Sequence, residues 1–151
     1  MPSKPRRILH FLCAVLLASV FGCVVQTQFN LAELQALGVP LPLDVRLRSI
    51  GHDLIGFMPL YAFVVSCAFA GAMPAASRLA RIWPVGRWLL FALAGGFALL
   101  LALLLVNALT PPPTLIAANR SLTGTLWLMA GGALGALLYT WLRGPLAKAD
   151  V

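Results

Sequence analysis

The chain has 151 residues, 61% of them apolar and only 10% charged, against about a quarter charged in an ordinary soluble domain. So few charges cannot cover a water-soluble globule, and so much apolar content excludes a disordered chain. The formal net charge of +7 does not point to nucleic acid, because the basic residues flank apolar runs instead of pooling in one patch. That placement fits membrane orientation and contact with anionic lipid.

In chain order, Lys4-Pro5-Arg6-Arg7 precedes an apolar run over 8–25. The order of parts resembles a signal peptide, but the 18-residue run exceeds the usual h-region of about 7–15. Phe21 is also too large for a lipoprotein-type site before Cys23. The expectation is an uncleaved first span over about 8–25, ended by polar Gln26-Thr27-Gln28. Asn30 and Glu33 have capping-box spacing. With Phe29, Leu31, Leu34 and Leu37 they predict a short interfacial helix at about 30–37. Gly38 would stop it, and Pro40 and Pro42 would impose an extended approach to the next span.

The second span is expected over about 50–73. Pro59 inside it should bend the helix or free a carbonyl near Ile55. Pro74 and Pro84, with Arg78, Arg81 and Arg87, mark the following turn, where Trp83 and Trp88 suit the headgroup level. The third span, about 88–109, has 22 residues where about 20 suffice, and carries Asn107 near its far end. Thr110-Pro111-Pro112-Pro113 reads as a stiff, extended link. A last span over about 122–142 follows Asn119-Arg120-Ser121 and closes with Trp141 and Arg143.

The fold class that follows is an all-α membrane protein, a four-transmembrane-helix antiparallel bundle formed as a single domain over 1–151. With the N-terminus inside, Lys4, Arg6, Arg7, Arg78, Arg81, Arg87, Arg143 and Lys148 fall on the inner side. Only Arg46, Arg48 and Arg120 fall outside, so both termini are expected in the cytoplasm. Close helix contacts should use Gly131 with Gly135 and Gly132 with Ala136 on the last span, facing Ala92 and Gly96 on the third. The same spacing could instead serve a homodimer.

The stretch 44–56 is where a function would sit. It re-enters an apolar run while still holding four charges and a histidine. Arg46, Ser49 and Asp53 share one helix face, and Arg48 and His52 another. Asp53 is expected about one turn inside lipid, where an ionised acid is costly. It should pair with Arg46 or Arg120 or turn toward the bundle interior. Asn107, Asn119 and Arg120 join from other helix ends at the same level, with Gln26, Gln28, Ser121 and Thr123. These groups act either as caps and depth anchors, with Ser121 or Asn119 capping the last span, or as the lining of a shallow pocket. In the second case Arg46, Arg48 and Arg120 would hold an anionic lipid headgroup or an acidic partner segment.

No chemistry beyond that is indicated. Cys13, Cys23 and Cys67 form neither a CxxC pair nor a metal-ligand spacing. His10 and His52 lie about a membrane apart and could not share a haem. No cofactor or metal is expected. The function read from the residues is that of a non-catalytic membrane subunit or scaffold that binds lipid or a partner protein. A small transporter or channel, and a lipid-modifying enzyme using Asp53, are the alternatives.

Three stretches carry a resemblance in layout: Gln26-Thr27-Gln28-Phe29 after the first span, His52-Asp53-Leu54 at the second, and Asn119-Arg120-Ser121-Leu122 at the fourth. With them the chain resembles the small uncharacterised four-span inner-membrane proteins of Gram-negative bacteria. The resemblance implies the four-span architecture and the bacterial inner membrane, and it implies no activity, ligand or partner.

Overall fold

The computed structural model describes residues 4–110 and 116–144. Five α-helices follow one another: α1 (Lys4–Ala36), α2 (Leu43–Gly56), α3 (Met58–Ile82), α4 (Arg87–Leu109) and α5 (Leu122–Arg143), with a 3-10 turn at Ala117–Arg120 before α5. All but α2 are long and apolar enough to cross a membrane. The 23 residues of α4 reach about 34 Å, past a hydrocarbon layer of about 30 Å. Along these helices Leu12, Leu16, Phe63, Leu101 and Leu126 are exposed. A shell of that kind suits lipid and would aggregate in water. The chain reads as a multi-pass helical membrane protein.

The helices stand in a ring, α1 beside α3, α3 beside α4, α4 beside α5, and α5 closing onto α1. Contacts between α4 and α5 run in opposite numerical order. Arg87 meets Thr140, Phe91 packs with Tyr139, and Gly95 meets Gly132. The same reversal holds between α1 and α5, where Ala14 meets Gly135 and Gln26 meets Ala118. Neighbours in the ring are therefore antiparallel, and both termini of the described chain lie at one end.

Each helix turns inward the face its sequence allows. On α3 the buried residues Tyr61, Val65, Phe69, Met73, Ala76 and Ala80 recur at three and four, one stripe of an amphipathic helix. The α5 helix, pressed between α1 and α4, buries two stripes of small residues. Gly131 and Gly135 face Phe21, Ala14 and Ala18 of α1, whereas Gly132 faces Gly95 and Leu99 of α4. A Cβ on Gly132 would lie 2.6 Å from the Gly95 carbonyl oxygen, and one on Gly135 2.7 Å from that of Ala14. Backbones touch there, as small-residue pairs permit in lipid.

The four-span reading of the sequence holds, and two of its spans, now α4 and α5, agree to within a residue at each end. The first half departs from expectation in four ways. Residues 30–36 are helical but form no separate helix: α1 runs unbroken through Gln26-Thr27-Gln28, because polar side chains do not stop a helix whose backbone stays bonded, and Gly38, at φ 83°, is the first residue that does. The second span starts at Met58 and not at about 50, since the chain breaks at Phe57. Pro59 falls in the first turn of α3, where its missing N–H costs nothing. Pro74 lies inside α3 and does not end it, which membrane helices tolerate. The closest approach of α4 uses Gly95, one position before the expected Gly96, which instead meets Met129; Ala92 is half-buried. The expected Pro111–Pro113 link and Lys148 lie outside the described residues.

Gly95→Ala would set a methyl group against the Gly132 carbonyl oxygen and the Ala136 side chain. It should lower stability by about 1–3 kcal/mol, seen as an earlier thermal unfolding midpoint in detergent. Gly71→Ala, with open space around it, should leave the midpoint unchanged or raise it. Equal midpoints for the two variants would rule out a backbone contact at Gly95.

Candidate functional site

The 33 residues of α1 extend about 50 Å, well past one bilayer core, so its last three turns project beyond the neighbouring spans. Each polar residue at the start of this projection is tied down. Gln26, nearly buried, accepts the Ala118 backbone N–H through Oε1 at 2.9 Å. That bond fixes the 3-10 turn before α5 to α1. Thr27 is buried, with Oγ1 2.7 Å from Asp53 Oδ2 and 3.0 Å from Cys23 O. Having one proton to give, the hydroxyl donates to the charged acceptor, the stronger of the two. Gln28 Oε1 accepts from Arg46 at 3.5 Å.

The α2 helix runs back along this projection. Its half-buried residues Arg46, Ser49, Ile50, Asp53 and Leu54 fall at i, i+3, i+4, i+7 and i+8, the stripe that faces α1. Leu43, Leu47, Arg48, His52 and Ile55 are exposed. Asp44 sits in the first turn, where a carboxylate favours the helix N-terminus. Helices α1 and α2 thus form a helical hairpin at the end opposite the termini.

A cleft of about 370 Å³ opens between the two arms of the hairpin, lined by Thr27, Asn30, Leu31, Glu33, Leu34, Leu37, Ser49 and Asp53. Its charged lining is acidic. Glu33 Oε2 accepts from Arg120 at 2.9 Å. Asp53 makes no ion pair with Arg46 or Arg120; its donor is the neutral Thr27 hydroxyl. His52 Nδ1 lies 3.8 Å from Asp53 Oδ1 with its side chain 89% exposed, too far and too solvated for an oriented acid–base pair. The expectation that Asp53 lies a turn inside a span also fails, because α2 ends before the span begins.

The sequence-derived cluster is therefore only partly assembled. Asp53 lines the cleft, and Arg46 and Arg120 flank it with their charges directed elsewhere, Arg46 Nη2 donating to Gln35 Oε1 at 2.8 Å. Arg48 is exposed. Asn107 has a buried Oδ1 without a hydrogen-bond partner among the described residues and does not line the cleft. Asn119 Oδ1 accepts from Thr125 Oγ1 at 2.9 Å, and Ser121 Oγ caps α5 by accepting the Gly124 N–H at 3.1 Å. These two act as local helix-end groups. Thr27 and Glu33 are the lining residues that the charge-centred reading of 44–56 passed over. The sequence signal for Thr27 is its place between two glutamines at the end of the first apolar run. A second groove of about 600 Å³ between α3 and α4 is lined by Cys67 and apolar residues such as Gly71, Ala94 and Phe97, and gathers no charge.

No protein-family model, curated protein or solved structure matches the chain.

The Thr27–Asp53 bond joins two helices, so a double-mutant cycle reads it directly. Thr27→Val and Asp53→Leu should each destabilise the hairpin, with a coupling of about 1.5–3 kcal/mol for a hydrogen bond to a charged group. The cycle is measured by chemical or thermal unfolding in detergent. Strictly additive effects would mean that the bond contributes nothing.

Proposed function

We propose that the chain is a non-catalytic subunit or scaffold of the bacterial inner membrane, which binds a partner segment or lipid headgroup through the cleft of the α1–α2 hairpin. The observation that carries this reading is Asp53, a carboxylate that lines the cleft and, among the described residues, receives a hydrogen bond only from a neutral hydroxyl. A half-buried acid without a full counter-charge favours a ligand that brings a cation. Arg46 and Arg120 engage Gln28, Gln35 and Glu33. The cleft therefore suits an ammonium or guanidinium group better than the anionic headgroup that the arginine count alone suggested.

A transporter needs a polar route from end to end. The middle of the bundle, filled by Ala18, Val65, Phe69, Leu99, Leu128 and Ala136, supports a scaffold instead. For orientation, the hairpin is taken to face the periplasm and both termini the cytoplasm. Arg6, Arg7, Arg78, Arg81, Arg87 and Arg143 gather at the end of the termini, while Arg46, Arg48 and Arg120 lie at the other, and basic residues stay inside.

Two experiments test this. Native mass analysis of protein taken from mild lipid nanodiscs should show a bound species with the wild type that Asp53→Asn loses and Arg48→Gln keeps. Identical retention by the wild type and Asp53→Asn removes the cleft as a binding site. For topology, in a variant lacking Cys13, Cys23 and Cys67, Leu37→Cys should react with an impermeant maleimide in spheroplasts. Arg81→Cys should react only after lysis. The reverse pattern inverts the orientation.

A further inference from the structure

We propose that Arg87 and Arg143, at the end of the bundle opposite the hairpin, form a binding site for the phosphate of an anionic phospholipid. This site does not depend on the cleft or on its ligand.

The two arginines come from different helices and converge on one turn of α5. Arg87, first residue of α4, donates from Nη2 to the Thr140 carbonyl at 2.7 Å. Arg143, last residue of α5, donates from Nη1 to Ser77 Oγ at 3.1 Å and to Tyr139 Oη at 3.3 Å. Its guanidinium lies 5.3 Å from the Tyr139 ring centre, and that ring packs on Phe91. Both side chains are half-buried and held in place on consecutive residues of α5, Thr140 for Arg87 and Tyr139 for Arg143. A free surface arginine would extend into water instead.

What holds them is neutral throughout. The acids of the described residues, Glu33, Asp44 and Asp53, all belong to the hairpin end. The Arg87 Nε–H is buried without a hydrogen-bond partner among the described residues. Two like charges drawn together in a medium of low polarity are costly without a counter-ion, so the arrangement calls for an anion. Guanidinium forks match phosphate oxygens in pairs. Arg87 begins one candidate membrane span and Arg143 ends another, close in sequence to the exposed Trp83, Trp88 and Trp141; span ends of this kind fall at headgroup level, where basic pockets between transmembrane helices take anionic headgroups. An anionic lipid supplies the phosphate at that depth and stays attached through its acyl chains.

The test uses the full-length protein in detergent with phosphatidylglycerol and phosphatidylcholine of identical chains, read by native mass spectrometry. The wild type should retain phosphatidylglycerol about tenfold better, the ratio that one well-formed charge-assisted contact supplies. The double variant Arg87→Gln with Arg143→Gln should bring the two lipids to parity. Arg78→Gln with Arg81→Gln removes the same charge from the same end and should keep the preference. Arg87→Lys with Arg143→Lys preserves charge and fold but not the fork, and should lose most of the preference. An equal loss in both glutamine pairs would overturn the site in favour of diffuse attraction, and so would full retention by the Arg87/Arg143 glutamine or lysine pair. Millimolar inorganic phosphate should leave lipid retention unchanged; displacement would assign the site to free phosphate. Asp150→Asn should also leave it unchanged, and a rise would show that this acid already occupies the pair.

Discussion

Lipid tails are as apolar as leucine, so hydrophobic burial does not drive these helices together, and the bundle depends on how closely their backbones can approach. The α5 helix supplies that approach on two sides. Gly132 lets the α4 backbone in at Gly95, and Gly135 admits α1 at Ala14. These contacts also set register. Eight positions along from the Gly95–Gly132 contact, in opposite directions on the two helices, Arg87 meets the Thr140 carbonyl. On the α1 side the same helix pair carries Ala118 to the Gln26 amide. The polar groups at both ends of the bundle are thus placed by glycines in its middle.

Where a polar side chain stands in a membrane helix, the backbone is already bonded, and what matters is whether the side chain finds a partner. Gln26, Thr27 and Gln28 find theirs on two other elements, the turn before α5 and, at Asp53 and Arg46, α2. In effect they sew the hairpin and the 3-10 turn to α1. A run of polar residues after an apolar segment can therefore be an internal joint instead of a terminus.

That distinction explains what the sequence made legible. Hydropathy placed α4 and α5 nearly to the residue, because uniform apolar runs bounded by Arg87, Thr110, Ser121 and Gly144 leave little choice. The break at Gly38 with the extended stretch through Pro40 and Pro42 was legible too, but neither the continuation of α1 past Gln28 nor the division of α2 from α3 was. Polarity is a poor guide to where helices end, and Pro59 has opposite meanings in mid-helix and in a first turn. The small-residue spacing on α5 was visible, but its division between two neighbours was not, since each register is only one residue from the other. At the site, Asp53 stood out because acids are rare here. Its partner was sought among cations, and it is a threonine 26 positions earlier in the chain. A neutral donor has no charge pattern to betray it.

The two ends of the bundle have opposite chemistry, and the contrast follows from what each end is made of. At the hairpin, helices rise clear of the apolar core, so acids and bases can neutralise one another directly, as Glu33 and Arg120 do. Within the cleft, the charge left without a salt bridge to an arginine is Asp53, fixed by a hydroxyl. At the other end the described residues carry arginines and no acid, and Arg87 and Arg143 are steadied by a carbonyl, two hydroxyls and a ring. Neutral dipoles fix a charged group in position without cancelling it. A negative residue is thereby kept in place at one end and a positive pair at the other, about a membrane apart. The two proposed sites would therefore select opposite signs, because the cleft presents a carboxylate held by a hydroxyl and the turn at Tyr139 presents two guanidiniums held by neutral groups.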